Sequence, residues 1–580
     1  MQPRSVSIAV TGSGGAGVMT AGKLLLDLAA RAGWYGMMAR SFGPQIRGGE
    51  AAALLRIASH PVQNPDDRYD VLLAIDWGNI GRFASEIPLH GNSLIIADPR
   101  RGAVPGILLG ERPRVAEVPL ADLARENPHG RANMVALGVL AALVGLAEDP
   151  ARERIGQMLA GRGEDAVGGG LASLRSGFAA AAAVEDPPRP GAPPADAGER
   201  WNISGNEATG LGALHGGIRF VAAYPITPAT DVLEWLAPRL PSLGGALVQA
   251  EDELAAINMC LGASYGGTPS LTATSGPGFS LMSEGLGLGV ASETPVVVVD
   301  VMRGGPSTGI PTKSEQTDLE IAVYGLHGDA PHVVVAPTGI DDCLHATQWA
   351  TGLAEALQTP AIVLSDQAMG QARAIIDRPA IDAAAASRRG ASGPELAQYR
   401  RYAITDDGIS PAAVPGTPGG EHTADGLEHD EYGTPSAQAG HHFAQLDKRR
   451  RKLALFDYGD RWADVEGDGE LAVITWGSST QVVREALDRA AGQGIRARLV
   501  ALRLIAPALP ERMAAALAGC RRVLVIEQNH DGQLHRYLRG HYHLPGEIHA
   551  WHHPGPLQIR PAEVLQQVLA LAPRKQEAIG

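Results

Sequence analysis

Only three cysteines occur in the 580 residues, Cys260, Cys343 and Cys520, far apart in sequence and with no CxxC pair. That scarcity excludes a disulfide framework, and it excludes a four-cysteine iron-sulfur cluster held by this chain alone. Aromatic residues make up 4% of the chain, and lysine is scarce beside arginine. The longest apolar stretch, around Met134 to Ala147, is interrupted by Gly138 and Gly145. It falls short of the roughly 20 residues that a bilayer crossing requires and reads as a buried helix. The N-terminus opens into a strand-like run, Val6 to Val10, with no basic segment followed by a long apolar stretch and a cleavage site, so a cytoplasmic location is expected. Net positive charge is lacking too: the formal charge is −14, which gives no long-range attraction toward nucleic acid or an anionic membrane. Neither is expected as a partner.

What is present points to several α/β domains. At roughly 100 to 200 residues per domain the length predicts about three or four. The 72 glycines, 41 prolines and 45% hydrophobic content fit many strand-helix turns better than disorder. Residues 1–184 alternate strand-like runs (Val6–Val10, Val71–Ile75, Leu94–Ala97) with helical patterns, a rhythm that predicts a parallel sheet with crossover helices. A proline-dense linker is expected over 185–200. A second α/β block spans 201–380, with strands expected at Arg219–Ala223, Pro295–Val301, His332–Ala336 and Pro360–Ser365. Residues 381–466 are polar and irregular, a connection or insertion without a functional reading. A third block, 467–580, again alternates strands, expected at Leu471–Thr475, Ala497–Ala501 and Arg522–Glu527, with helices.

The first strand runs into Gly12-Ser13-Gly14-Gly15-Ala16-Gly17 and then a helix. This spacing lets an anion approach a helix N-terminus, but the acidic residue of a dinucleotide site is missing about 20 residues later. A purely structural turn serves equally well. Further on, Ser41 to Gly49 surrounds Arg47 with glycines and Pro44, either an anion anchor or a turn with a solvated arginine. In the second block, Tyr224-Pro225-Ile226-Thr227-Pro228 follows a strand, its prolines fixing the backbone while Thr227 keeps a free hydroxyl. Glu251, Asp252 and Glu253 open a helix, where they also suit its dipole. Thr272 to Gly278, with Ser275 and Gly276, comes next. After another strand, Arg303 leads a glycine-rich loop ending at Lys313; arginine pairs well with a planar carboxylate, whereas Lys313 meets a second acidic group or a partner subunit, or is simply solvated.

Taken in order, TGSGGAGV, SFGPQIRGG, YPITP, QAEDE, TATSGPG and RGGPSTGIPTKSEQTDL resemble the 2-oxoacid:ferredoxin oxidoreductases, specifically an alpha subunit with a fused N-terminal gamma domain, and the last motif looks closest to the 2-oxoglutarate branch. The resemblance covers nearly the whole chain outside the linker and residues 381–466. It implies three α/β domains: a gamma domain associated with coenzyme A, a thiamine pyrimidine-binding domain and a transketolase C-terminal-like domain. Gly12, Gly14, Gly17 and Arg47 then belong to the coenzyme A region. Glu253, nine positions before Gly262, becomes the glutamate that shares a proton with the aminopyrimidine of thiamine diphosphate. Tyr224, Pro225, Ser275 and Gly276 join the cofactor site, Arg303 and Thr227 the catalytic and substrate site, and Lys313 the substrate contacts.

The resemblance also shows what is missing. A diphosphate site needs GDG followed roughly 25 to 30 residues later by paired asparagines that help hold Mg²⁺. Gly467-Asp468-Gly469 is present, but adjacent asparagines are not, so this GDG reads as a turn and no metal is assigned to the chain. Thiamine diphosphate is expected to be shared with a beta subunit that carries Mg²⁺ and a 4Fe-4S cluster. Coenzyme A is expected as co-substrate, ferredoxin or another carrier as electron acceptor, and (alpha-beta)2 as the assembly. The implied reaction is oxidative decarboxylation of a 2-oxoacid to acyl-CoA and CO₂. Alternatives are a pyruvate or branched-chain 2-oxoacid enzyme, a self-sufficient thiamine enzyme, and a nonenzymatic nucleotide-binding regulatory protein. The Glu527-Gln528-Asn529-His530 cluster reads as helix capping rather than as an active-site edge.

Overall fold

A computed structural model describes residues 4–43, 49–82, 84–195, 198–381 and 387–572. The chain divides into two compact units, Met1–Ser204 with Gln371–Pro379, and Gly205–Gly370 with Ala380–Gly580.

The first unit is built on an eight-stranded sheet. Four strands, Arg114–Glu117, Leu94–Ala97, Val71–Ala74 and Ser5–Ser13, lie parallel in that order. The rest corrects the parallel sheet expected from sequence: Glu50–Ala58, Tyr35–Phe42, Arg373–Asp377 and Arg200–Ser204 continue it with antiparallel pairing throughout. The chain therefore leaves and re-enters this sheet on either side of the second block. Residues 185–195 form neither helix nor strand, and they lie along this unit, where Trp34 Nε1 donates to the Gly191 carbonyl at 2.8 Å. The apolar stretch near residue 134 is indeed a buried helix, Ala132–Leu143. It packs on Glu164–Ala181 through glycine: a Cβ on Gly138 would stand 2.2 Å from the Leu174 carbonyl oxygen, so only glycine permits that approach.

The second unit holds two sheets. The larger runs Leu504–Ala506, Val333–Val335, Ala361–Asp366, Val297–Met302, Ser270–Thr274, Phe220–Ala223, Ala246–Gln249. All its pairings are parallel except that of Leu504–Ala506, which comes from the third block. Val297–Met302 is buried at every position, as a central parallel strand covered on both faces should be. The smaller, five-stranded sheet contains Leu471–Trp476, Arg498–Leu502 and Arg522–Glu527, close to their expected bounds. Gly467 and Gly469 adopt positive φ in the turn before Leu471, in line with GDG read as a turn.

Within 381–466 the sequence conceals a helix, Ala439–Leu455. Its buried positions include Lys448 and Lys452, whose ammonium groups reach Glu293 at 2.7 and 3.3 Å. Burial alone would raise the Glu293 pKa, but Lys448, Lys452 and Arg401 hold it well below the carboxylate range. Burial also pulls Lys448 down to about 8, against the pull of Glu293. Arg401 donates to the Glu293 backbone carbonyl at 2.7 Å. The polar segment is thus anchored by a buried ion cluster rather than by an apolar stripe.

Candidate active site

The motifs noted in the second block all fall at the carboxyl ends of neighbouring parallel strands. Tyr224–Pro228 follows Phe220–Ala223, Glu251–Glu253 follows Ala246–Gln249, Ser275–Gly278 follows Ser270–Thr274, and Arg303 follows Val297–Met302. In open α/β sheets that edge is where ligands bind, because the loops there converge while the sheet stays rigid.

The three acidic residues separate by environment. Glu251 is exposed, and the Asp252 carboxylate is used as a helix cap, accepting the Ala255 amide at 2.7 Å. Glu253, first residue of helix Glu253–Tyr265, is only 7% exposed. Its carboxylate takes no hydrogen bond from any described residue. Gly278 makes room for it: a Cβ there would lie 2.3 Å from Glu253 Oε1 and 2.3 Å from Thr274 Oγ1. A buried carboxylate without a donor is costly, and a ligand ring nitrogen able to share a proton satisfies it. The Glu253 environment therefore fits an aminopyrimidine.

Arg303 is 7% exposed and makes one described hydrogen bond, to the Thr227 carbonyl, while its Nε has no partner. Burial lowers its pKa and the nearby carboxylates of Asp318 and Asp300 raise it; a guanidinium stays charged under such shifts. Thr227 is half-buried, Tyr224 and Pro225 are exposed, and the buried Ser275 hydroxyl lacks a partner. Gly276 is constrained as Gly278 is, since a Cβ there would approach Asp318 Oδ2 to 2.7 Å.

Arg303, Gly276, Thr317 and Asp318 line a cleft of about 800 Å³, together with Asn529 and His530 from the third block. The Glu527 cluster therefore both caps and edges. Glu527 accepts the Leu534 and His535 amides at 2.7 and 2.9 Å, and the next turn reaches the cleft. Lys313 is not among the lining residues; its backbone closes the same loop through bonds with Gly304 and Ile310.

Sequence reasoning overlooked Asn206, whose side chain donates to the Pro228 carbonyl at 2.9 Å and pins the YPITP turn. It also overlooked Asp300 and Asp318. A lone acid inside the otherwise apolar strand Val297–Met302 was the available signal for Asp300.

In the first unit, Gly12 falls near the end of strand Ser5–Ser13, and Gly14 and Gly17 lie in the turn into helix Val18–Arg31. Asp76 occupies it: its carboxylate accepts the Ser13 amide at 3.0 Å, the Ser13 hydroxyl at 2.8 Å and the Gly78 amide at 2.9 Å. Gly17 caps the helix in the left-handed region, and a Cβ there would collide with Asn133. Arg47 lies outside the described residues. No helix among the described residues is long and apolar enough to cross a membrane.

Two family models match the chain. One is described as pyruvate flavodoxin/ferredoxin oxidoreductase, thiamine diP-bdg, over residues 211–448, and the other as pyruvate ferredoxin/flavodoxin oxidoreductase over residues 7–180. The 2-oxoglutarate oxidoreductase subunit KorA of Mycobacterium tuberculosis is 33% identical over 85% of this chain and 80% of its own length. The 2-oxoacid:ferredoxin oxidoreductase subunit alpha of Saccharolobus solfataricus is 36% identical over 59% of this chain, and that match spans 57% of the relative's length. Among solved structures, the 2-oxoglutarate:ferredoxin oxidoreductase of Magnetococcus marinus, with 2-oxoglutarate, coenzyme A and succinyl-CoA bound, is 36% identical. It superimposes with a TM-score of 0.91, covering 98% of this chain and 100% of that one.

Proposed function

We propose, starting from the fact that this chain belongs to the ferredoxin-linked 2-oxoacid oxidoreductase family, that it is the alpha subunit of an enzyme oxidising 2-oxoglutarate to succinyl-CoA and CO₂. The observation that carries the reading is the convergence of a buried, donorless Glu253 and a buried, half-satisfied Arg303 on one edge of a parallel sheet. A relative of known structure that covers 98% of this chain holds that substrate and product.

When bound, thiamine diphosphate supplies the nucleophilic carbon and electron sink that decarboxylation of a 2-oxoacid needs. The roles left to this chain are positional and protonic. Glu253 shares a proton with the ring nitrogen of the aminopyrimidine. Arg303, with Nε unoccupied, receives the substrate's 1-carboxylate, and Thr227, whose backbone it holds, sets the adjoining turn. Ser275 and Gly276 floor the site next to the cofactor.

A partner completes it. The chain lacks paired asparagines for a diphosphate site and the cysteines for a cluster, so we assign Mg²⁺, the diphosphate contacts and a 4Fe-4S cluster to a beta subunit in an (alpha-beta)2 assembly that passes electrons to ferredoxin. Leu254, Met259 and Leu281 are all more than 40% exposed beside Glu253 and the TATSGPG loop, an apolar surface suited to such docking. The assembly is placed in the cytoplasm. Coenzyme A is assigned to the gamma domain, with Gly12, Gly14, Gly17 and Arg47 in its neighbourhood.

The chain copurified with its beta subunit should oxidise 2-oxoglutarate with kcat/KM about 10- to 100-fold above that for pyruvate, the value of one charge-assisted contact to the distal carboxylate. Preference for pyruvate or a branched 2-oxoacid would reject the substrate assignment while leaving the reaction class intact. In the same complex, Arg303→Ala should lower kcat/KM about 30- to 100-fold, chiefly through KM. Arg303→Lys should recover only part of the loss, because lysine cannot pair both carboxylate oxygens. Steady-state kinetics of the three proteins checks both statements.

A further inference from the structure

Behind Arg303 lies a pair of carboxyl groups that the reading above does not use. Asp300 sits at 0% exposure in strand Val297–Met302, and neither of its oxygens accepts a hydrogen bond from any described donor. Among the described residues, the group placed to share a proton with it is the carboxyl of Asp318. Asp318 Oδ1 has only a long contact from the Thr317 hydroxyl, at 3.5 Å, and Oδ2 has none. Asp318 faces the cleft; Asp300 does not. Two facing carboxylates this deeply buried cannot both ionise cheaply, so one proton belongs to the pair rather than to either residue.

We propose that Asp300 and Asp318 form a proton-sharing positioning pair that holds Arg303 ready for the substrate carboxylate and makes substrate binding depend on the pair's proton. With one proton the pair carries a single negative charge, balancing the guanidinium, and the cleft admits an anion. Without it, a second negative charge stands beside the seat of an anionic substrate, and affinity falls. The sign follows: binding weakens as pH rises through the pair's titration. Burial pushes Asp318 up to about 6, against the proton it shares with Asp300 and the Thr317 hydroxyl, which puts that titration in an accessible range. The other charged or titratable groups facing the pair are Arg303 and Glu315, with His530 and Asp531 lining the cleft from the third block. Both aspartates act through Arg303 and the site floor; neither is assigned contact with the reacting atoms.

The inference rests on the 2-oxoacid reading, and the test keeps the two apart. In the complex with the beta subunit, KM and kcat for 2-oxoglutarate are measured from about pH 5.5 to pH 8.5, where the substrate's own carboxylates stay ionised. For the native enzyme KM should rise on the order of tenfold between about pH 6 and pH 8 while kcat changes less. Asp318→Asn leaves the pair no second negative charge to develop, so its KM should not rise across the range, and Asp300→Asn should do the same. Circular dichroism and a melting curve identify a variant that misfolds, in which case the other decides. A flat native KM, or a rise that persists unchanged in a folded variant, overturns the pair's role. A native complex without 2-oxoacid oxidation at any pH overturns the underlying reading instead.

Discussion

Replacing Glu253 with glutamine in the assembled enzyme should lower 2-oxoacid oxidation about a thousandfold. The amide cannot share a proton with the aminopyrimidine as a carboxylate does, and positioned proton transfer is worth on the order of 10² to 10⁴ in rate. Volume and burial are nearly preserved in the substitution, so folding should survive and the loss should fall on kcat. Glu251→Gln is the matched control. That side chain is exposed two residues earlier and should cost less than about threefold. The contrast separates this account from one in which any acid at the start of helix Glu253–Tyr265 serves, because the dipole contribution is common to both positions. Turnover assays with saturating thiamine diphosphate and Mg²⁺, alongside cofactor titrations, measure the difference. Equal losses at the two positions would remove the special role of Glu253.

The second large effect lies away from the cleft. Glu293→Ala should destabilise the second unit by about 3 to 5 kcal/mol, the cost of leaving buried charge uncompensated. Lys448 and Lys452 would then sit at 0% and 1% side-chain exposure without their counterion. Among the described residues, Lys452 retains the Gln358 carbonyl, at 2.9 Å, as its one acceptor. Replacing Glu293, Lys448 and Lys452 together by methionine should restore much of the loss, since a well-packed apolar substitute for a buried ion cluster is often neutral or better. Denaturant titration followed by tryptophan fluorescence checks this, with the transition of each unit resolved because a chain of this size need not unfold in one step. A Glu293→Ala protein as stable as the native one would show that helix Ala439–Leu455 is held by other contacts.

Much of this architecture was legible because it follows apolar runs of β-branched residues. The strands around residues 220, 298, 334 and 362, and those of the third block, fall within a residue or two of their expected bounds. Glu50–Ala58 was missed for the converse reason. EAAALLRIA is rich in alanine and leucine and favours helix locally, and only its register along Ser5–Ser13 and Tyr35–Phe42 makes it a strand. Helix Ala439–Leu455 escaped because its inward face includes lysine and arginine, which in sequence look like a solvated surface; the partner that neutralises them lies 155 residues away. The site shows the same division. Glu253, Thr227 and Arg303 sit in contiguous motifs that carry the family resemblance one segment at a time. The Asp300–Asp318 pair and the approach of Asn529 and His530 to the cleft exist only after the chain has closed on itself.

The central claim is that the Glu253 carboxylate belongs to thiamine. A structure of the assembled alpha and beta subunits with thiamine diphosphate bound tests it most directly. The account predicts a Glu253 carboxylate oxygen at about 2.6 to 3.2 Å from a ring nitrogen of the aminopyrimidine, the reach of a proton-sharing bond. A cofactor whose ring meets Glu251 or a beta-subunit acid instead, with Glu253 turned away, would contradict it.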